Sequence, residues 1–414
     1  MRLLYLVHRI PYPPNKGDKI RSYHILRHLA ARHQVFLGGF YDDPRDREHV
    51  EALRAYATEV RFHFLARHRL WRCGPRALLR GTPVTLEAFR DARLQAWVEG
   101  LLARRAVDAV YVFSSAMGQY LPRVPPSGVR VLVDLVDVDS EKWREYARNR
   151  HGHLLLRWIY HREARRLRAF ELALAARADA TLLVSEEEAA LFRTLAADAG
   201  TVDLARIHSL RNGVDLAYFD PGRAHARPFA DGGAHLVFTG AMDYWANIDG
   251  VEWFVRSVLP AVRARRGDVR LHVVGANPDP RVRALAGEAV DVTGYVADVR
   301  PYLAHADVVV CPLRIARGIQ NKVLEAMAMA RPLVATPEAL TGIGCAPLDR
   351  LGTRDPRTMA ARILALLDDR TQAQSLGRAG RAHVEAHFGW EAALQRLDGF
   401  LERPAQLPFG GNSG

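Results

Sequence analysis

Apolar residues along the chain alternate between short continuous blocks and longer stretches with helical spacing. The blocks at 2–8 (RLLYLVH), 34–40, 59–65, 108–113 (DAVYVF), 130–135 (RVLVDL) and 179–184 (DATLLV) read as strands buried on both faces. Ile20, Tyr23 and Ile25–Leu29 predict a helix over 19–32 with Asp18 as its cap. An Arg-rich helical stretch runs to about 105, and a long helix covers 153–176. The rhythm restarts after 206, with strands at 235–239, 270–274, 307–310 and 332–335, and a further one leading into Gly294. Helices fit at 247–264, 300–304 and 320–330. Such alternation predicts parallel sheets covered by helices, and the restart predicts two doubly wound α/β domains in tandem. The turn-rich segment 220–233 falls at the start of the second. From 355 the pattern is helical to about 402, and the Pro/Gly-rich 404–414 reads as a flexible tail.

Composition agrees with a globular chain. A length of 414 residues suits two domains, and 49% apolar with 25% charged residues excludes wholesale disorder. Cys73, Cys311 and Cys345 lie far apart and form no C-x-x-C, which argues against a disulfide scaffold or zinc ribbon and fits a reducing compartment. The apolar run Leu3–Val7 is shorter than the roughly 7–15 residues of a signal peptide. No run approaches the roughly 18 residues of a membrane span, so the expectation is a cytoplasmic protein. The net charge of +12 is uneven: residues 1–206 hold 34 basic and 24 acidic residues, the remainder 24 and 22. The basic first half makes anionic membrane, nucleic acid and phosphorylated small molecules candidate partners.

Three segments carry candidate chemistry. After the first strand, HRIPYPPNKGDKIRS places Gly17, Lys16, Lys19 and Arg21 where a strand's carboxyl end meets a helix N-terminus, a position that attracts anions. It reads equally as a proline-shaped turn with solvated lysines, and it is not the G-x-G-x-x-G of a dinucleotide site. In RVLVDLVDVDSEKW, Asp134, Asp137 and Asp139 cluster at a strand end ahead of Ser140, a plausible cap. They serve either as a cap with carboxylates paired to Lys142 or Arg144, or as a carboxylate orienting an acceptor hydroxyl. Asp137–Val138–Asp139 is also formally a D-x-D. In the third segment, DVVVCPLRIARGIQNKVLEAMA, a strand passes through a loop holding Arg314, Arg317, Gly318, Gln320 and Asn321 into a helix with Lys322 and Glu325. The i,i+3 spacing puts Lys322 and Glu325 on one side of the helix. They form either a surface pair or a nucleoside-diphosphate site, with backbone N–H groups and Lys322 on phosphate and Glu325 on ribose hydroxyls.

This third segment resembles the nucleotide-binding region of family 4 glycosyltransferases. GAMDYWANIDGVEWF, the DLVDVDSEKW stretch and GIQNKVLEAMA resemble the exosortase-associated (PEP-CTERM) sugar transferases of bacterial exopolysaccharide clusters. The resemblance runs from the PYPPNKGDKIRSYH loop to HFGWEAALQRL. It implies the GT-B fold, two Rossmann-like domains facing a cleft. Residues 1–206 would be an acceptor domain, 207–385 a nucleotide-sugar domain, and 386–403 a helix returning to the first domain. It also implies retention of anomeric configuration, no metal and no cofactor beyond the nucleotide-sugar donor, and a glycan or lipid-linked acceptor. Gly294, Tyr295 and Val296 would meet the base, and Asp243 and Gly17 would lie in the cleft. Two departures stand out. Arg317 occupies the first of two glutamates that the family often places eight positions apart, with Glu325 at the second. Gly240–Ala241–Met242 stands where an Arg is expected, with Ala246 and Asn247 near an expected Lys. Lys322 and Arg317 are therefore the expected cations on the leaving diphosphate, and Asp137 the candidate on the acceptor side.

Residues 154–176 (LLLRWIYHREARRLRAFELALAA) and RHRLWRCGPRALLRG are basic and Trp-containing. They read either as core helices with a solvated cationic side or as a docking face for an anionic inner-membrane leaflet, where each basic residue contributes roughly 1 kcal/mol. A nucleic-acid-binding protein is the competing class, against which no helix-turn-helix or aromatic stacking platform is found. A nucleotide-sugar epimerase of the same fold is the competing enzyme.

Overall fold

The computed structural model describes residues 1–14, 17–66, 69–149, 154–230, 232–316 and 318–402. Lys16, Arg317 and the expected tail 404–414 lie outside the described residues. The chain divides into two compact units, one of Met1–Arg211 with the residues from Leu394 onward, the other of Asn212–Ala393.

The first unit is built on a seven-stranded sheet of β1 (Arg2–Val7), β2 (Gln34–Tyr41), β3 (Glu59–Phe64), β4 (Ala109–Phe113), β5 (Arg130–Val136), β6 (Ala180–Leu183) and β7 (Ile207–Ser209). All neighbours are parallel, in the order β3-β2-β1-β4-β5-β6-β7. The order reverses between β1 and β4, the switch point of a doubly wound sheet. Leu3–Val7 and all of β4 are buried, which is why these segments read as unbroken apolar runs. The helices used below are α1 (Gly17–Ala30), α2 (Arg69–Arg80), α3 (Asp139–Asn149) and α4 (Leu154–Ala175). Expected and observed bounds agree within a few residues, with two exceptions of substance. Helix α1 starts at Gly17, so Asp18 sits inside its first turn, where it accepts from Arg9 Nη1 at 2.6 Å, rather than capping it. Ser140 likewise lies within α3 and bonds Glu171 Oε2 at 2.5 Å.

A polar network is buried in this unit. Arg21, 1% exposed, reaches from α1 to Asp134 on β5 (Nη2–Oδ2 2.9 Å, Nε–Oδ2 3.0 Å). Its Nη1 donates to the Leu210 carbonyl at 2.7 Å, and the Tyr111 hydroxyl donates to Asp134 Oδ2 at 2.8 Å. Burial pushes the Asp134 carboxyl above its ordinary range, opposed by Arg21 and Tyr111.

The second unit carries β8 (His235–Thr239), β9 (Arg270–Val274), β10 (Val290–Gly294), β11 (Val308–Cys311) and β12 (Leu333–Ala335), again all parallel, in the order β10-β9-β8-β11-β12. Its helices include α5 (Trp245–Trp253) and α6 (Asn321–Ala328), and α7 (Trp390–Leu401) ends the described chain. The helix expected over 247–264 is interrupted after α5 by a π-helical turn, Phe254–Val258, before Leu259–Arg263. Pro260 explains the widening, since it has no N–H to give and its ring crowds the carbonyl one turn earlier.

The expected restart after 206 comes a few residues early. β7 pairs with β6 through Thr181–Ile207, Leu182–His208 and Leu183–Ser209, so the first sheet extends past 206. Three residues are too few to show a strand period. At the chain's other end, the residues from Leu394 join the first unit. His28 Nε2 lies 2.7 Å from Asp398, Arg130 Nε donates to the Phe400 carbonyl at 2.5 Å, and His208 stacks on Phe400 at 4.6 Å.

Candidate active site

In the second unit the switch point lies between β8 and β11, and the loops leaving the carboxyl ends of these strands converge on Lys322. Lys322 stands in the first turn of α6, which the chain enters through Gln320 in an extended conformation without a side-chain cap. Its Nζ donates to Asn247 Oδ1 at 2.5 Å and lies 4.5 Å above the ring of Phe238 on β8. The Asn247 amide is oriented by its other end, since Nδ2 donates to the Ala241 carbonyl at 2.7 Å. An ammonium has three donors, so two remain for a ligand once Asn247 is served.

Glycine makes this approach feasible. A Cβ at Gly240, whose φ is +155°, would lie 2.9 Å from both Lys322 Nζ and Asn247 Nδ2. A Cβ at Gly275 would fall 1.6 Å from the Gly240 carbonyl oxygen. The two strand ends are thus packed backbone to backbone beneath the lysine.

Lys322 and Glu325 do not form the surface pair that their spacing allows. Both are half-buried, and no ion pair joins them. Burial lowers the Lys322 pKa, with Cys311 and Glu325 opposing. Burial raises the Glu325 carboxyl to about 7, against the pull of Lys322. The sign follows from linkage. A carboxyl raised in the folded state adds stability below its unfolded pKa and loses it as pH rises through about 7. Glu325→Gln should therefore match the native chain in urea unfolding near pH 3.5 and exceed it by about 3 kcal/mol near pH 8.5. Equal stability at both pH values would mean that Glu325 is hydrated and ordinary.

The remaining expected residues scatter over the unit. Gly318 has φ +60°, and its carbonyl accepts from Gln320 Nε2 at 3.1 Å. Asn321 Oδ1 is buried without a hydrogen-bond partner among the described residues. Asp243 is exposed, 3.4 Å from Asn277 Nδ2, and is not drawn into the Lys322 cluster by any bond. Gly294, with φ +70°, ends the edge strand β10, and its carbonyl accepts from Gly275 N at 3.2 Å; Tyr295 is 72% exposed, and Val296 is half-buried. Arg314 is engaged elsewhere, by Asp249 at 2.5 Å.

In the first unit, Asp137 and Asp139 share Lys142 at 2.7 and 3.2 Å, and Asp139 also accepts from Ser115 Oγ at 3.1 Å. The two carboxylates raise Lys142 well above its ordinary range, although its burial works the other way. This is the pairing that the sequence offered as one of two readings for Asp137. Gly17 opens α1 and is exposed. Sequence reasoning did not single out His8, at the carboxyl end of β1. It lies 3.3 Å from Asp18 and stacks on Phe113 at 5.8 Å.

Residues 233–369 match the family model described as Glycosyl transferases group 1. This region contains the whole Lys322 cluster. A GDP-mannose-dependent monoacylated alpha-(1-6)-phosphatidylinositol monomannoside mannosyltransferase of Corynebacterium glutamicum is 30% identical over 163 residues, 35% of this chain and 42% of that protein. A glycogen synthase of Mycobacterium tuberculosis is 27% identical over 206 residues, 45% of this chain and 46% of that protein. The chain thus spans less than half the length of these curated relatives. Solved structures agree over nearly the whole chain. Sucrose-phosphate synthase of Thermosynechococcus elongatus superposes with a TM-score of 0.64 at 18% identity, over 96% of this chain and 97% of that one. Anabaena HepE in complex with UDP gives 0.62 at 15%, over 97% and 99%. The fold is that of the GT-B glycosyltransferases, two Rossmann-like domains each on a parallel sheet.

Proposed function

We infer that the protein is a glycosyltransferase that moves a sugar from a nucleotide-sugar donor to a lipid-linked glycan acceptor in bacterial exopolysaccharide biosynthesis, with retention, at the cytoplasmic face of the inner membrane. The observation that carries this reading is the Lys322–Asn247–Gly240 arrangement at the switch point of the sheet, inside the region that matches group 1 glycosyltransferases. Ligands of open α/β sheets bind at such points.

In this reading the second domain holds the donor. Lys322, Arg317 and the N-terminus of α6 with Gly318, Gln320 and Asn321 stabilise the diphosphate as it gains charge. Glu325 accepts from ribose hydroxyls, backbone at Gly294, Tyr295 and Val296 meets the base, and Asp243 lies at the donor's rim. The first domain holds the acceptor, with Asp137 orienting its hydroxyl, and Gly17 allows close backbone approach of an anionic group at the N-terminus of α1. The bond from the sugar carbon to the diphosphate oxygen breaks as the acceptor oxygen bonds to the same face of that carbon. The acceptor's proton passes to the departing phosphate. UDP in the Anabaena structure supports a nucleotide-sugar donor, and the named substrate of the Corynebacterium relative supports a lipid-borne acceptor.

The test is thermal unfolding with UDP-, GDP-, ADP- and dTDP-sugars on the native chain and on Glu325→Ala. A ligand at about 100 times its dissociation constant stabilises by about 2.7 kcal/mol. One nucleotide should shift the native chain and leave the variant unmoved. No shift with any nucleotide would sink the donor assignment.

A further inference from the structure

The first two turns of α4 break the burial pattern of the unit. Leu154 is 81% exposed, Leu155 71% and Trp158 55%, and the first buried residue of the helix is Glu163. The end of α2 is tied to the same helix, because Arg162 donates to the carbonyls of Ala77 (2.8 Å) and Thr82 (3.1 Å). That end presents Leu79, 89% exposed. Alongside, Trp143 and Tyr146 of α3 pack on Tyr160 of α4 at 5.4 and 6.4 Å, which holds the α3–α4 hairpin together. A groove of about 480 Å³ opens on it, lined by Arg144, Trp158, His161, Arg162, Arg165 and Arg168.

The cations here are not all neutralised. Arg144 pairs with Glu141 at 3.1 Å and Arg168 with Asp198 at 3.7 Å. Arg157, Arg165 and Arg166 have no ion pair or hydrogen bond among the described residues. Exposed leucines and an indole beside unpaired guanidinium groups have one partner chemistry that satisfies both. An anionic phospholipid leaflet takes the leucines into its acyl region, seats tryptophan at its interface and offers phosphates to the arginines. A nucleic acid would serve the charges and leave the leucines in water.

We propose that the α3–α4 hairpin, with Leu79, Leu154, Leu155 and Trp158 inserted and Arg157, Arg165 and Arg166 on headgroup phosphates, is the surface by which the protein docks on an anionic membrane. The inference deepens the lipid-linked acceptor reading. Its test needs no donor and no turnover, so the two can fail separately.

The experiment is sedimentation of the full chain with phosphatidylcholine vesicles, with and without phosphatidylglycerol. Binding to the anionic vesicles should be about tenfold stronger or more, with salt weakening it. Arg165→Glu with Arg166→Glu should remove about thirtyfold or more of that affinity. Leu154→Ser with Leu155→Ser should weaken binding and abolish the blue shift of tryptophan emission, a shift that Trp158→Phe should also reduce. These positions are exposed, and unchanged circular dichroism melts confirm that each variant folds. Equal binding to both vesicle types would overturn the proposal, as would variants that sediment like the native chain. Release from vesicles by inorganic phosphate at constant ionic strength would overturn it in favour of a soluble phosphate ligand. Binding of a short DNA duplex that Arg165→Glu with Arg166→Glu abolishes, without vesicle binding, would overturn it in favour of nucleic acid.

Discussion

Lys322→Ala should lower turnover by about 10²–10³-fold, the usual cost of removing one positioned donor from a developing negative charge. Its Nζ is held at the switch point by Asn247 Oδ1 at 2.5 Å and by the Phe238 ring at 4.5 Å, so little reorganisation is needed when charge accumulates on a leaving diphosphate. Arg314 cannot substitute while it is bound to Asp249 at 2.5 Å. The loss should fall mainly on kcat, because the diphosphate gains charge as it departs. Lys322→Arg should not restore the rate. The site is sized for an ammonium, with the Gly240 backbone and Asn247 against it, and a planar guanidinium is a poor isostere there. The measurement is release of nucleoside diphosphate from the donor that the thermal panel identifies. Turnover of Lys322→Ala within about threefold of the native chain would remove Lys322 from the chemistry.

Much of this site could be read from sequence, for identifiable reasons. A strand, a glycine-bearing loop and a helix in the order DVVVCPL–RIARGIQ–NKVLEAMA place Lys322 and Glu325 near a strand's carboxyl end by local geometry alone. What holds Lys322 there was not legible. Asn247 lies 75 residues away, and its link to Lys322 depends on β8 and β11 being neighbours across the sheet. Gly275 was silent for the same reason, since its constraint is the carbonyl of Gly240 on the adjacent strand. The spacing of Lys322 and Glu325 also left two readings open. Burial separates them, because it moves Glu325 up to about 7 without an ion pair, and burial is a tertiary property. Fold class was legible because both sheets are parallel and their central strands, such as β1, β4 and β8, are covered and read as nearly unbroken apolar runs, whereas the edge strands β3 (EVRFHF) and β10 (VDVTG) are only partly buried and alternate with polar residues. The exceptions were β7, too short to register, and Phe254–Val258, where a proline one turn ahead widens an otherwise regular helix. The leucines at the start of α4 read in sequence either as part of a core helix or as part of a docking face. Their exposure, 81% at Leu154 and 71% at Leu155, is what marks them as a surface, and it is a tertiary property.

The largest stability effect should come from Arg21. Arg21→Met should destabilise the protein by about 3–5 kcal/mol, because it leaves the Asp134 carboxylate buried without its counter-charge. Asp134 is fully buried, its Oδ2 receives Arg21 at 2.9 Å and Tyr111 at 2.8 Å, and the same guanidinium ties α1 to the Leu210 carbonyl after β7. Even with Arg21 present, burial holds the Asp134 carboxyl above its usual range. Without Arg21 it must rise further. The pH dependence then has a definite sign: a raised carboxyl favours the folded state as it protonates, so the deficit of Arg21→Met should shrink as pH falls from about 7 towards about 4. Combining Arg21→Met with Asp134→Leu removes both charges and should recover most of the loss, as apolar replacement of a buried pair often does. Equilibrium urea unfolding of the three variants measures all of this. A loss below about 1 kcal/mol in Arg21→Met, or a double variant no better than the single one, would show that water reaches Asp134 and that the pair is not the tie between α1, β5 and the end of the first sheet.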